Sequence, residues 1–460
     1  MFLAAIIARM AGVYQAPMKN TGLALFAIVA FALPFVGALV LSNHRALGSV
    51  RKTALNPMLL VAIFVFVAGA DFASMAGNGY GRLGGHVVPA AGMGWLITKY
   101  VLMLLAFLFG IALALTRATG LPVTYPGRPV DMRGVLMVAH LAMLALWFVS
   151  ILPYSPDYFS LEGSVATHGQ VDDPLVYATS ILLLPTLCYA LPKQSLKVAL
   201  PLVAITVFIV FFSGARARVL YALVPFIFYL VVVRGVRAPR RYVLGIFAIG
   251  ALAVAAGNVR VELSRGESLS LARVLDFSQT LNSNDVALAE IHAALERMED
   301  SSVNEYLGEN LVSFATAPLP RSILPIKPVS GSVQFTTAYD PSRWRAWGSA
   351  LTVGAINEIE HDYPFPLAIL IVALFGAGWG TAMAKAIRSR SIHGFAWRVA
   401  LTIFIFNFFR NDLFIAGGAL WVFALYGIPV EIYRRMKLGG ARVSARAGRD
   451  RAPAEAQPAS

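Results

Sequence analysis

Two arginines lie in a short turn between two apolar segments, at residues 213–218 (Ser-Gly-Ala-Arg-Ala-Arg). The flanking segments, 198–212 and 219–233, are short for membrane spans, so Arg216 and Arg218 are expected near headgroup level. A charge at membrane depth costs several kcal/mol unless it is paired or hydrated. Because a guanidinium group matches phosphate oxygens, the turn predicts an anion site. The structural alternative is that both side chains snorkel to the headgroups.

A second pair of cations lies in a proline-rich stretch at residues 320–328 (Pro-Arg-Ser-Ile-Leu-Pro-Ile-Lys-Pro). Prolines stiffen the backbone and lower the entropy that is lost when a site forms. Arg321 and Lys327 are therefore candidate ligands for an anion. The alternative is an ordinary loop in which the two positive charges balance the acidic residues around them.

A third stretch, residues 343–363, combines cations, tryptophans and acidic groups. Arg343 and Arg345 beside tryptophans suit sugar stacking and anion contact, although an interfacial aromatic belt has the same composition. Glu358, His361 and Asp362 are candidate general bases for transfer to a sugar hydroxyl. Their spacing differs from the His-Glu-x-x-His metal motif, so we predict no metal. A solvated acidic surface is the competing interpretation.

Arg410 lies in the turn Arg-Asn-Asp at residues 410–412, between two apolar segments. Arg410 and Asp412 could pair with each other. A charged turn at a membrane interface is costly, however, so Arg410 is a further candidate for substrate binding.

The elements that must position these residues are membrane helices. The chain has 460 residues, of which 58% are hydrophobic and 13% charged, and its mean hydropathy is +0.69. A soluble domain would carry about 25% charged residues, so this composition excludes an ordinary soluble enzyme. The net charge of +14 would suggest nucleic acid in a soluble protein, but here membrane topology explains it better. The single cysteine, Cys188, excludes a disulfide framework.

The hydropathy pattern predicts an all-α polytopic membrane protein with eleven spans. They are 22–42, 58–75, 95–116, 135–154, 175–191, 198–212, 219–233, 243–256, 367–384, 395–409 and 413–430. Alternate connections and the tail together hold 22 of the 38 Lys and Arg residues. By the positive-inside rule that face is cytoplasmic, which leaves Arg216, Arg218 and Arg410 outside.

The chain divides into a bundle of eight spans (1–256), a large external loop (257–365), three further spans (366–430) and a tail (431–460). The loop holds fourteen of the 24 acidic residues. Its apolar spacing predicts amphipathic helices near 288–298 and 306–314, followed by a turn-rich stretch, so we expect a folded cap. The tail is expected to be cytoplasmic and disordered from Gly439. We predict an ion pair between Asp71 and Lys99, and His140 as a hydrogen-bonded core histidine.

Taken in order, these motifs resemble the oligosaccharide repeat-unit polymerase family of bacterial inner membranes, the Wzy-type O-antigen polymerases. The resemblance covers about half the chain, from residue 211 to residue 430. It rests on Ser-Gly-x-Arg at 213–216, Leu-Pro-Arg at 319–321 with Pro-x-Lys-Pro at 325–328, Glu358, and Arg-x-Asp at 410–412. Where an aromatic residue and a glycine would follow the glutamate, this chain has His361, Asp362 and Tyr363.

The resemblance implies a GT-C-like architecture with a periplasmic cap over the active site. It also implies an inverting glycosyl transfer, without metal or cofactor, between two glycans on undecaprenyl pyrophosphate. Arg216, Arg321 and Arg410 would bind the pyrophosphate, and Glu358 would be the first candidate for the base. A flippase and a chain-length regulator are possible partners, and no nucleic acid is expected.

Three other functions remain open at the level of sequence. An O-antigen ligase would use the same donor and transfer the glycan to lipid A core. A transporter of lipid-linked oligosaccharides would need essential charges at mid-depth, such as Asp71 or Lys99, and usually shows inverted repeats, which we do not find. A scaffold for polysaccharide export would need none of the arginines.

Overall fold

The computed structural model describes residues 20–52, 56–84, 86–119, 131–154, 174–212, 216–236, 287–298, 309–319, 323–347, 350–389 and 391–450. Within these residues the chain is almost entirely helical, apart from one hairpin of two short strands. The transmembrane part before the loop contains α1 (Thr21–Ser42), α2 (Pro57–Asn78), β1 (Tyr80–Leu83), β2 (His86–Pro89), α3 (Met93–Ala118), α4 (Arg133–Ile151), α5 (Pro174–Ala190), α6 (Leu196–Phe212) and α7 (Arg216–Phe228). The loop contains α8 (Leu288–Met298), α9 (Glu309–Thr316), α10 (Gly331–Tyr339), α11 (Pro341–Trp347) and α12 (Ala355–Asp362), and α13 (Phe365–Arg388), α14 (Ile392–Arg410) and α15 (Leu413–Asp450) follow.

Seven of these helices are long and apolar enough to cross a membrane: α1 to α4 and α13 to α15. The predicted spans at 175–191, 198–212 and 219–233 form the shorter apolar helices α5, α6 and α7. The predicted span at 243–256 lies outside the described residues. The class of polytopic helical membrane protein therefore agrees with the prediction, and the number of eleven spans stays a prediction.

Helices α3 and α13 pack closely because glycines face the neighbouring backbone. A Cβ atom on Gly376 would lie 2.2 Å from the carbonyl oxygen of Phe107, and one on Gly110 would lie 2.0 Å from that of Ala373. Small residues at a contact let the backbones of two membrane helices approach each other closely. This contact fixes the start of α13, and with it the preceding helix α12.

The described residues contain two hydrophobic clusters, and one of them forms among α4, α5, α6, α7, α14 and α15. His140 lies in it, fully buried, with its Nδ1 atom 2.8 Å from Thr186 Oγ1 and its Nε2 atom 3.1 Å from Thr206 Oγ1. Both ring nitrogens therefore have partners, which confirms the prediction of a satisfied core histidine.

The cap and the arginine-rich connections lie at opposite ends of the bundle. At one end the hairpin meets the loop, since a Cβ atom on Gly81 would lie 2.2 Å from Glu290 Cγ in α8. At the other end Arg388 Nη2 donates to the carbonyl oxygen of Thr119 at 3.1 Å. Helix α8 has the predicted amphipathic pattern, with Leu288 and Ile291 buried. Within the predicted segment 306–314 the described helix begins at Glu309.

The predicted ion pair between Asp71 and Lys99 is wrong. Lys99 Nζ contacts Glu296 Oε2 at 2.9 Å and Glu360 Oε1 at 2.8 Å, and both partners belong to the cap. Asp71 Oδ2 accepts the main-chain N–H of Ala289 at 2.8 Å. The two span ends are close in sequence, but elements between 197 and 261 residues further along the chain supply these partners.

Helix α15 continues beyond the apolar segment to Asp450, so the disorder expected from Gly439 is not found up to that residue. Alanine and arginine have high helix propensity, which favours continuation of the helix. Glu431 pairs with Arg434 at 2.7 Å and with Arg435 at 2.9 Å where the helix leaves the apolar segment. Residues 451–460 lie outside the described residues.

Candidate functional site

The three candidate bases line one cavity at the boundary between cap and bundle. Glu358, His361 and Asp362 lie one turn apart on the same face of α12, as spacing of three and four residues requires. The cavity is small, with a volume of about 30 Å³, and Asn310 of α9 and Gly331 and Gln334 of α10 also line it. Apolar residues of α8, α10 and the strand-like segment before α12 form the remaining wall.

Glu358 is the deepest of the three, with only 3% of its surface exposed. Its Oε2 atom accepts the main-chain N–H of Leu413 at 2.6 Å, at the start of α15. Asp412 caps the same helix by accepting the N–H of Ile415 at 2.9 Å, and its other oxygen accepts that of Ser332 at 3.1 Å. Both carboxyl groups thus serve the amino-terminal end of α15.

Burial and the nearby Asp412 and Asp362 raise the pKa of Glu358 well above its ordinary value. The main-chain N–H groups of Leu413 and Gly331 act in the opposite direction but do not compensate. Space is also restricted here, because a Cβ atom on Gly331 would lie 2.0 Å from Glu358 Oε1. The surroundings of Glu358 therefore favour its protonated form and hold its carboxyl group tightly.

Asp362 has a pKa that suits proton exchange near neutral pH. Burial raises the pKa of Asp362 to about 7, Glu309 adds to the rise, and a hydrogen bond from Asn310 Nδ2 limits it. The efficiency of a general base is greatest when its pKa lies near the working pH. Asp362 meets that condition.

His361 completes the titratable set of the cavity. Burial lowers the pKa of His361, and the nearby Glu360 and Glu296 only partly offset this effect. The imidazole is therefore neutral at neutral pH and can accept or donate a hydrogen bond.

A chain of polar contacts brings the start of α7 to the same end of the bundle. The hydroxyl group of Tyr221 donates to Asn407 Oδ1, and Asn411 Nδ2 donates to the same oxygen at 2.5 Å. Tyr221 follows Arg216 by five residues in α7, and Asn407 lies one turn before Arg410 in α14. The first turns of α7 and the last turns of α14 are therefore neighbours.

The structure describes only some of the other predicted cations. The side chains of Arg216 and Arg218, and Arg321 as a whole, lie outside the described residues. The guanidinium of Arg410 lies 5.8 Å from the centre of the Phe406 ring. None of the described residues that line the cavity is an Arg or Lys.

Three predicted cations of the loop make local contacts. Lys327 Nζ donates to the carbonyl oxygens of Ala317 and Leu319 at 2.9 and 2.8 Å. The main-chain N–H of Arg343 donates to Asp340 Oδ1 at 3.0 Å, and Arg345 Nε donates to the carbonyl oxygen of Pro341 at 3.3 Å. These contacts stabilise the local backbone, and a role for these cations in anion binding stays a prediction.

Sequence reasoning missed Asn310 and Gly331 as site residues. Asn310 lies three residues before Ser313 on a helix that also carries Leu311, Val312 and Phe314, and both polar side chains are buried. That spacing is the signal that could have identified a polar helix face turned inward. Gly331 carries no comparable signal, because only the fold places it against Glu358. In the part of the chain that the structure describes, no group of three or more His, Cys, Asp or Glu side chains could hold a metal ion.

Comparison of the chain with protein-family models, with curated proteins and with solved structures finds no match. The geometry and chemistry of the cavity are therefore the basis for a function.

Proposed function

We propose that this chain is a bacterial inner-membrane polymerase that joins oligosaccharide repeat units carried on undecaprenyl pyrophosphate. The observation that supports it is the convergence of Glu358, His361 and Asp362 on one cavity at the boundary between cap and bundle, at the bundle end where a hydrogen bond joins Tyr221 of α7 to Asn407 of α14. A proton acceptor at the end of the bundle that also carries Arg410 suits an acceptor hydroxyl and a lipid-linked anionic leaving group.

In the proposed step, a hydroxyl oxygen at the non-reducing end of the acceptor glycan attacks the anomeric carbon of the donor's first sugar. The new C–O bond forms as the bond to the pyrophosphate oxygen breaks. Undecaprenyl pyrophosphate leaves with the electron pair, and the hydroxyl proton passes to the base. One displacement of this kind inverts the anomeric centre.

We assign the base to Asp362, because its pKa near 7 allows it to accept a proton at neutral pH. Glu358, the first candidate from sequence, is assigned a structural role, because its carboxyl group accepts the main-chain N–H of Leu413 at the start of α15. Arg216, Arg321 and Arg410 are assigned to the pyrophosphate, whose developing charge guanidinium groups stabilise. Arg218, Lys327, Arg343 and Arg345 remain secondary candidates for glycan or phosphate contact.

The proposal also assigns locations and partners. The cap would lie in the periplasm and the end of α15 in the cytoplasm, as the distribution of Lys and Arg indicates. A flippase would deliver the lipid-linked units, and a chain-length regulator would limit the polymer. These assignments follow from the resemblance in sequence.

The test is polymer length made by the purified protein in liposomes that contain an undecaprenyl-pyrophosphate-linked repeat unit. The native protein should give a ladder on a gel, at a rate that rises as pH is raised through about 7, where Asp362 ionises. Asp362→Asn should lower the rate at least about 100-fold, the usual contribution of a general base. Arg216→Ala, Arg321→Ala and Arg410→Ala should reduce the ladder to single units. Asp131→Asn, an exposed carboxyl at the opposite end, is the matched control and should leave the ladder unchanged.

The same measurements separate the alternatives. If Asp362→Asn keeps the native rate and pH profile while Glu358→Gln abolishes activity, the base is Glu358. Normal ladders from all three arginine variants would refute the pyrophosphate assignment. In cells, a glycan found on lipid A core only, and never extended on undecaprenyl pyrophosphate, would indicate a ligase. Against a transporter, Asp71 and Lys99 contact the cap and not each other.

A further inference from the structure

Helix α9 exposes apolar side chains on its outer side and buries polar side chains together with apolar ones on its inner side. Val312 and Ala315 are exposed, as is Leu319 just after the helix, whereas Asn310 and Ser313 are buried and Phe314 is half-buried. In water the hydrophobic effect would bury the apolar face of such a helix. An exposed apolar face with a buried polar face is the arrangement expected in a hydrocarbon environment.

The contacts of Phe314 place α9 well below the ends of three membrane helices. Its ring centre lies 5.4 Å from that of Phe375 in α13 and 6.5 Å from that of Phe404 in α14. Its carbonyl oxygen accepts the indole N–H of Trp421 in α15 at 3.0 Å.

These three partners give a depth. Phe375 is ten residues after the start of α13, Trp421 eight after the start of α15, and Phe404 six before the end of α14. At a rise of 1.5 Å per residue they lie about 9 to 15 Å inside the helix ends. Half the hydrocarbon thickness is about 15 Å, so Phe314 lies at a depth within one leaflet.

The turns after α9 continue the same pattern. Ile323 is 68% exposed and Ile326 is 86% exposed. Non-helical backbone at membrane depth needs its carbonyl groups satisfied from within the protein. Lys327 does this for Ala317 and Leu319, while its ammonium group lies 4.7 Å from the centre of the Phe414 ring, near the start of α15.

We propose that α9 and the turns at 317–319 and 323–329 form a re-entrant element, embedded in the leaflet on the cap side of the membrane. Its exposed apolar residues contact lipid acyl chains and continue the lipid-facing surface formed by Leu370 and Leu374 of α13, which are 53% and 62% exposed. The inward face of the element carries Asn310, which donates to Asp362 in the cavity. A single helix therefore separates the bilayer from the candidate active site.

Site-specific fluorescence quenching of the full-length protein in liposomes tests this placement without any measurement of activity. In a Cys188→Ala background, Ile323→Cys and Ile326→Cys are labelled with an environment-sensitive thiol probe. The lipid-facing control is Leu374→Cys on α13, and the water-facing control is Val87→Cys in the hairpin, 61% exposed. The two quenchers are phosphatidylcholine brominated on its acyl chains and aqueous iodide.

The probes at 323 and 326 should lose the same fraction of fluorescence to brominated lipid as the probe at 374, and much less to iodide than the probe at 87. Quenching by iodide equal to that at 87 would show the segment in water and overturn the proposal. Protection from both quenchers would show that protein covers the segment, which would also overturn it. Because neither result depends on glycan synthesis, the re-entrant element and the proposed function can fail separately.

Discussion

Glu358 shows how the environment of a single residue changes its role. The sequence places a glutamate just ahead of a span, which suggested a base. The fold buries it against Asp412 and Asp362 and gives it the main-chain N–H of Leu413 as a hydrogen-bond donor. Burial thus shifts Glu358 towards its protonated form, and its carboxyl group acts as a structural acceptor.

We expect Glu358→Gln to lie within about 1 kcal/mol of the native free energy of unfolding at neutral pH, since an amide keeps the acceptor and removes no bound charge. Glu358→Ala should cost about 2 to 4 kcal/mol, because it leaves the N–H of Leu413 unpaired and creates a cavity. Chemical denaturation in detergent micelles measures both.

The pH dependence of stability provides the control on the charge state. A carboxyl whose pKa is raised by folding contributes stability at low pH that is lost as pH rises towards the folded-state pKa. Native stability should therefore fall as pH increases above the ordinary range of a glutamate, and Glu358→Gln should flatten that fall. Equal destabilisation by Gln and Ala, with no change in slope, would mean that Glu358 is ionised.

Among the elements, Lys99 connects a membrane helix to two helices of the cap. It joins α3 to α8 through Glu296 and to α12 through Glu360. Glu360 lies next to His361, so this pair also fixes the helix that carries the candidate bases. Breaking a buried ion pair on one side costs more than removing it entirely, because the other charge remains without a partner.

Lys99→Met should therefore lower the free energy of unfolding by about 3 to 5 kcal/mol. The double variant Lys99→Met with Glu360→Gln should recover part of that loss, since the buried charge is then neutral. Lys193→Met, an exposed lysine at the opposite end, should change stability by no more than about 0.5 kcal/mol. Additive effects of the two single variants would mean that Lys99 and Glu360 are not coupled.

The sequence predicted some elements well, for reasons that are local. The period of apolar residues identified α8, and the long apolar segments identified seven helices. The sequence predicted a helix close to the observed bounds of α9, but it did not predict how deep this helix lies relative to the membrane helices. An apolar stripe made of Val312 and Leu319 has the same spacing whether it faces a protein core or lipid.

The partners of buried charges could not be predicted, because they depend on contacts across the whole chain. Asp71 lies near the end of α2 and Lys99 near the start of α3, so a mutual ion pair is the simplest expectation from sequence. The cap instead brings Ala289, Glu296 and Glu360 between them. Asn310 and Gly331 became visible as site residues only once α9 and α10 were placed against α12.

For the molecule as a whole, the two ends differ in charge and in shape. One end carries the hairpin, the cap and the cavity, and the other carries Arg45, Arg117, Arg133, Lys385 and Arg388. Two hydrophobic clusters connect the ends, and residues of α14 belong to both. Since the cavity lies at the end with few cations, the orientation of the chain decides which compartment supplies its substrate.

Thiol labelling in cells measures that orientation. In the Cys188→Ala background, Val87→Cys in the hairpin and Asp131→Cys before α4 place one exposed thiol at each end. With a membrane-impermeant maleimide, Val87→Cys should react in cells whose outer membrane alone is opened, because the positive-inside rule puts the arginine-rich end in the cytoplasm. Asp131→Cys should react only after the inner membrane is lysed. The reverse pattern would place the cavity on the cytoplasmic side, where nucleotide sugars are the available donors. It would contradict the proposal of a polymerase that uses lipid-linked glycans on the periplasmic side.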